Sequence, residues 1–136
     1  MGKRKVDQRT HLLASRSYCG KVISISEKSS SVELKTKKTM VVDERGLVHG
    51  GFTFSLADYS AMLAVNHPYV VLYKADVKFI KPVVLGDTLL ARAQVISEDG
   101  SKKEVFVEVF KKGTDEKVFE GKFLCVVLDR HVLDRK

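Results

Sequence analysis

The sequence predicts an α+β fold in which one long central helix is wrapped by a curved antiparallel sheet of five to six strands. Residues 52–66 predict the helix, because they lack proline and their apolar side chains spread almost all the way round a helical period. After Pro68, polar and apolar residues alternate with the period of two that is typical of strands. Because one sheet face cannot cover a helix that is apolar on nearly every side, we expect the sheet to curl around it and a second subunit to complete its burial.

The predicted strands share an alternating pattern and end at turn residues, and they span residues 21–27, 31–38, 69–84, 88–97, 104–111 and 117–128. Gly86-Asp87 and Asp99-Gly100 give the clearest turn signals. Since the connections after the helix are short, we expect the four later strands to form an antiparallel meander.

The whole chain, residues 1–136, is predicted to be a single domain, because this length can bury a substantial core without disulfides. Residues 1–17 form an extension before the first strand. Within that extension, residues 7–14 are predicted to form a short helix.

The composition predicts a cytoplasmic protein with no membrane partner. The helix candidate is short for a membrane span and carries Asp58, and no apolar stretch follows the basic N-terminus as it would in a signal peptide. Cys19 and Cys125 lie far apart and are predicted to be reduced thiols. Neither the cysteines nor the histidines have the spacing of a metal site, and no cofactor motif is present, so we predict neither a metal nor a cofactor.

The net charge of +7 raises the question of a nucleic-acid partner. The lysines and arginines are scattered, and the densest runs, at residues 3–5 and 35–38, are not accompanied by an aromatic RNA-binding signature. We therefore predict no nucleic-acid partner. A modest basic field would attract a phosphorylated small molecule.

Asp58 is the candidate functional residue that stands out most. It is the only Asp, Glu, Lys or Arg between Gly46 and Tyr73, and burying a carboxylate in such apolar surroundings costs free energy. Gly50 and Gly51 lie at the start of the same helix, where free backbone amides and the helix dipole favour negative charge.

The spacing of these residues predicts a site shared between two chains. Eight residues of helix rise about 12 Å, so the Gly50 amide and the Asp58 carboxylate of one chain cannot both touch one small reacting group. Two antiparallel copies of the helix would bring the glycine end of one near the middle of the other. We therefore expect any active site built from these residues to lie across a homodimer.

The same residues carry a family resemblance. The His49-Gly50-Gly51 triplet followed by Asp58 closely resembles the PaaI-like acyl-CoA thioesterases of the hotdog superfamily. The segment 79–82, Phe-Ile-Lys-Pro, followed by Gly86-Asp87, is similar to the next landmark of that family. The resemblance implies the hotdog fold, a homodimer formed through paired sheets, and often a homotetramer that is a dimer of dimers.

The resemblance also implies roles for individual residues. Asp58 matches the catalytic carboxylate, which acts as a general base on water or as a nucleophile toward the thioester carbonyl. Gly50 matches the residue whose amide polarises that carbonyl, and Gly51 assists it or permits close approach of the ligand. His49 lies where the family histidine packs beside the thioester. Each residue also has a structural alternative: a buried aspartate that holds loop amides, helix-start glycines, and a hydrogen-bonded histidine.

Three positions depart from the family pattern. Asp43 occupies the position, seven residues before Gly50, where many relatives carry Asn or Gln. Met62 and Leu72 stand where some relatives carry Ser or Thr. If Asp43 approaches Asp58, its charge would raise the pKa of Asp58; otherwise it belongs to a surface loop. The candidate substrate-binding residues are Asp43, Tyr59, Met62, Tyr73, Phe79 and Lys81.

The predicted function is hydrolysis of an acyl-CoA to the free acid and coenzyme A. The alternative is a non-catalytic acyl-CoA binding or sensing protein, because the polar residues expected at positions 62 and 72 are missing. A hydroxyacyl thioester dehydratase is a third, less favoured hypothesis. The acyl chain, and the choice between coenzyme A and acyl carrier protein, stay open.

Overall fold

The computed structural model describes residues 4–135. Within these residues, one long α-helix packs against a six-stranded antiparallel sheet, so the predicted α+β class and hotdog fold are confirmed. The elements in chain order are β1 (Lys21–Ser26), β2 (Ser29–Lys35), α1 (Gly50–Val65), β3 (Val70–Phe79), β4 (Thr88–Asp99), β5 (Lys102–Lys111) and β6 (Lys117–Val127).

The order of the strands across the sheet is β1-β2-β4-β5-β6-β3. Strands β4, β5 and β6 form the predicted meander, but the expectation that β3 belongs to it was wrong. Strand β3 pairs with β6 instead, from Val70 opposite Val127 to Phe79 opposite Phe119. The chain between β3 and β4 does not make a tight turn, because Val83 and Val84 pair with the loop before the helix.

The core lies between α1 and the face of the sheet that packs against it. The largest fully buried side chains come from both layers and include Leu56, Met62, Leu63, Leu89, Phe119 and Phe123. Burial of each such side chain contributes about 1.5–3 kcal/mol to the free energy of unfolding. The helix is also fixed to β2 by a buried hydrogen bond, in which the Ser30 hydroxyl donates to the Ser60 carbonyl at 2.6 Å.

The N-terminal segment corrects a second prediction, because residues 7–14 are irregular, with one turn at residues 12–13, and do not form a short helix. Asn66 ends α1 in the left-handed conformation, and its side chain binds the segment. Its amide nitrogen donates to the Asp7 carbonyl at 2.8 Å, and its oxygen accepts from the Arg9 amide at 2.7 Å. The first bond engages the Asp7 carbonyl, which a helix over residues 7–14 would pair with the His11 amide. His11 also has a positive φ of 55°, which excludes a right-handed helix there.

No helix within residues 4–135 has the length and apolar composition needed to cross a lipid bilayer.

Candidate active site

The start of α1 leaves backbone amides available to a ligand. His49 precedes the helix in an extended conformation, its side chain does not cap the helix, and no acidic residue lies in the first turn. The entry to the helix is held in place by backbone hydrogen bonds from His49 to Met40 and from Val48 to Val83. The free amides and the helix dipole together favour an anion or a developing oxyanion at this point.

Both glycines permit close packing at the helix start. A Cβ atom added to Gly51 would lie 2.9 Å from Nε2 of His49, so the histidine ring occupies the space that a side chain would need. A Cβ atom added to Gly50 would lie 3.2 Å from the ring of Phe79. The predicted cluster of His49, Gly50 and Gly51 is therefore compact, and Phe79 forms one of its walls.

Asp58 lies in the middle of α1 and is partly buried. Its Oδ1 atom is shielded from solvent and accepts no hydrogen bond from the described residues. Burial raises the pKa of Asp58 from 3.8 to about 6. Since Oδ1 holds no loop amide, the structure gives no support to the structural alternative for this residue.

Asp58 lines an open cleft of about 380 Å³. The cleft is formed by α1, by the start of β3 and by both ends of the chain, and its other lining residues are Thr10, His11, Met62, Pro68, Val70, Val71, Leu72 and His131. Sequence reasoning did not select Thr10, His11 or His131 as site residues. Nothing in the local sequence marks them, because only the folding of distant segments brings them to Asp58.

The glycine end of the helix lines a different cleft, of about 310 Å³. Gly50 and Phe79 contribute to it, together with Lys81, but Asp58 does not. Within one chain, the two central candidate residues therefore face separate clefts. This separation agrees with the rise of about 12 Å expected for eight residues of helix.

The remaining predicted substrate-binding residues are dispersed. Met62 lines the Asp58 cleft, whereas Lys81 lines the Gly50 cleft and forms an ion pair with Glu116 at 3.5 Å. Tyr73 is 72% exposed and lines neither cleft. Tyr59 is buried, and its hydroxyl accepts a hydrogen bond from the Gln8 amide at 3.2 Å.

Asp43 has a structural role in the loop before α1. Its Oδ1 atom accepts hydrogen bonds from the backbone amides of Arg45, at 3.0 Å, and Leu47, at 3.1 Å. The cause of the raised pKa of Asp58 is burial, with no contribution from Asp43. Within one chain, the surface-loop alternative describes Asp43.

Cys125 lies on β6 close to Asp58. Burial, together with the negative charge of Asp58, raises the pKa of the Cys125 thiol to about 12. The thiol is therefore protonated at neutral pH and is not a nucleophile there. Among residues 4–135, no three His, Cys, Asp or Glu side chains are grouped in a way that would hold a metal ion.

A long helix packed against an antiparallel sheet, with a carboxylate in mid-helix and free amides at the helix start, indicates the class of protein. Residues 45–118, more than half of the chain, match the thioesterase superfamily. The chain belongs to that superfamily.

Two solved structures share the fold. The uncharacterized protein PH1136 from Pyrococcus horikoshii is 58% identical, with a TM-score of 0.93 over 96% of this chain and 98% of the other. The Escherichia coli PaaI protein from the phenylacetic acid degradation operon is 25% identical, with a TM-score of 0.74 over 82% of this chain and 80% of the other. The resemblance to PaaI-like hotdog proteins is thus confirmed.

Two curated relatives are longer than this chain. A methylthioribose-1-phosphate isomerase from Aquifex aeolicus is 51% identical over 123 residues, which is 90% of this chain but 26% of the isomerase. The transcription factor FapR from Thermoanaerobacter sp. strain X514 is 28% identical over 130 residues, which is 95% of this chain and 64% of FapR. The chain therefore spans about a quarter of the first relative and just under two thirds of the second.

Proposed function

We propose that the protein is a thioester hydrolase that cleaves an acyl-CoA into the free acid and coenzyme A. The observation that carries this proposal is Asp58, a partly buried carboxylate that lines an open cleft and whose shielded Oδ1 has no hydrogen-bond partner among the described residues. A pKa of about 6 leaves Asp58 mostly ionised at neutral pH, yet close enough to neutrality for efficient proton transfer.

In the proposed reaction, Asp58 acts as the general base. It removes a proton from a water molecule while the water oxygen bonds to the thioester carbonyl carbon. The carbonyl oxygen becomes an oxyanion and accepts a hydrogen bond from a helix-start amide. When the tetrahedral intermediate collapses, the carbon–sulfur bond breaks, and the proton held by Asp58 passes to the leaving thiolate.

The helix-start amide in this scheme is supplied by Gly50 of the partner subunit. Within one chain Asp58 and Gly50 line different clefts, so they do not act on the same carbonyl. Antiparallel packing of two α1 helices would place the glycine end of one beside Asp58 of the other. A homodimer is therefore the smallest assembly that completes the proposed site, and it contains two sites by symmetry.

Coenzyme A is the proposed carrier of the acyl group because its phosphate groups are negatively charged and the protein is basic. The net charge of +7 favours binding of such a ligand, and Lys81 lines the cleft at the glycine end. The acyl group would lie between the two subunits, against Met62 and Leu72.

The proposal is tested by measuring thiol release from a panel of acyl-CoAs that differ in chain length and aromatic character. We expect saturable release by the native protein and a loss of about 10²–10⁴-fold in kcat for Asp58→Asn, which removes the base but keeps the shape. Asp115→Asn is the matched control, because Asp115 lies in an exposed turn. Undiminished turnover by Asp58→Asn would remove Asp58 from the mechanism.

A second candidate function is non-catalytic binding or sensing of an acyl-CoA. Two observations favour it: the match to the transcription factor FapR, and the apolar side chains of Met62 and Leu72 in the Asp58 cleft. Calorimetry separates the two functions. Tight acyl-CoA binding without thiol release from any substrate would support the sensor and contradict the hydrolase.

A further inference from the structure

The N-terminal segment places polar side chains in the Asp58 cleft, where α1 and β3 contribute apolar ones at Met62 and Leu72. Met62 and Leu72 are apolar, whereas Thr10 and His11 line the same cleft as Asp58. This part of the segment is built into the fold. Asn66 holds it through Asp7 and Arg9, and the Gln8 side chain donates to the Thr10 carbonyl at 2.9 Å.

Thr10 is buried and forms a hydrogen bond with the neighbouring His11 ring. Thr10 is 5% exposed, and its hydroxyl oxygen lies 2.8 Å from Nδ1 of His11. Among residues 4–135 the hydroxyl has no other hydrogen-bond partner, and a buried hydroxyl hydrogen needs an acceptor. Donation from Thr10 to Nδ1 meets this need, and it would leave the proton of a neutral His11 ring on Nε2.

The surroundings favour the neutral form of His11. His11 is an exposed residue, yet partial burial of its ring lowers its pKa from 6.5. The other ionisable groups that line the cleft are Asp58 and His131. The Nδ1 atom of His131 already accepts a hydrogen bond from the Leu133 amide at 3.0 Å, so that ring is fixed by its own backbone.

We propose that His11 holds the attacking water beside Asp58, and that Thr10 is a positioning residue that fixes the His11 tautomer; this inference rests on the hydrolase function proposed above. The water accepts a hydrogen bond from Nε2 of His11 and donates one to the Asp58 carboxylate. Its remaining lone pair is then directed at the thioester carbonyl carbon. As the carbon–oxygen bond forms, the proton passes to Asp58, and the electrons of the broken carbon–sulfur bond leave with the thiolate.

The test compares kcat and KM for acyl-CoA hydrolysis across four variants. Thr10→Val removes the hydroxyl at nearly constant shape, and Thr10→Ser keeps it. His11→Gly removes the ring and tolerates the positive φ at this position. The control is His67→Gln, because His67 lies outside both clefts. Thermal unfolding of each variant verifies that it is folded.

We expect kcat to fall about 10- to 100-fold in Thr10→Val and His11→Gly, with KM changed little, because only the position of the water is affected. Thr10→Ser should retain most of the native kcat. Native kcat in both Thr10→Val and His11→Gly, while Asp58→Asn stays inactive, would overturn the inference and leave the hydrolase function standing.

A second measurement tests the inference without depending on substrate hydrolysis. Carbon-13 NMR of the aspartate carboxyl groups gives the pKa of Asp58, which should rise in His11→Gly because the carboxylate loses a donor that acts through water. It should not change in His67→Gln. If the native protein releases no thiol, the hydrolase function fails, and an unchanged Asp58 pKa in His11→Gly would then overturn this inference as well.

Discussion

At the scale of the residue, the ionised form of Asp58 that the proposed reaction requires lowers the stability of the fold. Its carboxylate is solvated in the unfolded chain and partly buried in the fold, which raises its pKa from 3.8 to about 6. Because the folded pKa is the higher one, protonation of Asp58 stabilises the fold. That stabilisation is fully present below about pH 3.8 and is lost as the pH rises through about 6.

We therefore expect Asp58→Asn to be more stable than the native protein at neutral and alkaline pH. The gain in the free energy of unfolding should be about 1–3 kcal/mol near pH 8 and should shrink toward zero near pH 4, since each unit of pKa shift corresponds to about 1.4 kcal/mol. Urea denaturation at several pH values measures it. Asp115→Asn, in an exposed turn, should show no such trend, and a gain for Asp58→Asn that does not vary with pH would contradict the prediction.

The sequence identified some residues of the proposed site and missed others for a physical reason. Asp58, Gly50 and His49 could be recognised because they lie on one short stretch whose chemistry is visible locally. Thr10 and His11 could not, because the long-range contacts from Asn66 to Asp7 and Arg9 bring them to the cleft. Tyr73 was selected for its proximity in sequence, but its side chain is largely exposed.

At the scale of the element, the end of α1 controls the N-terminal segment. Asn66 adopts a left-handed conformation with a φ of 53° and binds that segment through two hydrogen bonds. In Asn66→Gly the backbone conformation is retained and both bonds are lost, whereas Asn66→Ala also strains the backbone. We expect faster hydrogen exchange at the Arg9 amide in both variants, together with a loss of about 1–3 kcal/mol in the free energy of unfolding.

Hydrogen–deuterium exchange measured by mass spectrometry follows residues 4–14 in these two variants. The glycine variant serves as the matched control for backbone strain, so Asn66→Ala should be the less stable of the two. Native exchange rates at residues 4–14 in both variants would show that Asn66 does not hold the segment.

Local patterns predicted most elements but not all of their partners. The alternation of side chains located the strand ends to within three residues, except that the strand predicted over residues 69–84 ends at Phe79. The pairing of β3 with β6 was missed, since the sequence does not specify how a strand at the sheet edge finds a partner far along the chain. The segment 7–14 was predicted as a helix because the pattern does not reveal that Asn66 would bind its backbone.

At the scale of the whole molecule, the two clefts divide the proposed chemistry between subunits. The base lies in the middle of α1 and the amides lie at its start, and a single chain keeps them in separate clefts. Strand β3 is an edge of the sheet and borders both clefts, through residues near its start and at Phe79. A second copy placed against this edge would face the residues that the proposed site requires.

Two inactivating substitutions, one for each half of the proposed site, can distinguish a site shared between subunits from a site within one chain. Asp58→Asn removes the base. Gly50→Pro removes the amide hydrogen, and proline is well tolerated at the first position of a helix. His49 already has the extended conformation, with φ −61° and ψ 132°, that a residue before proline requires. Gly50→Ala retains the amide hydrogen and is the control for contact with Phe79.

The measurement that tests the central claim most directly is the thioesterase activity of a mixed dimer. Asp58→Asn and Gly50→Pro chains carrying different affinity tags are expressed together, and the dimers that contain one of each are purified. If the site is shared, each mixed dimer has one intact site and one doubly defective site, so we expect about half of the native activity, although both parents are inactive. A mixed dimer as inactive as its parents would contradict the shared site.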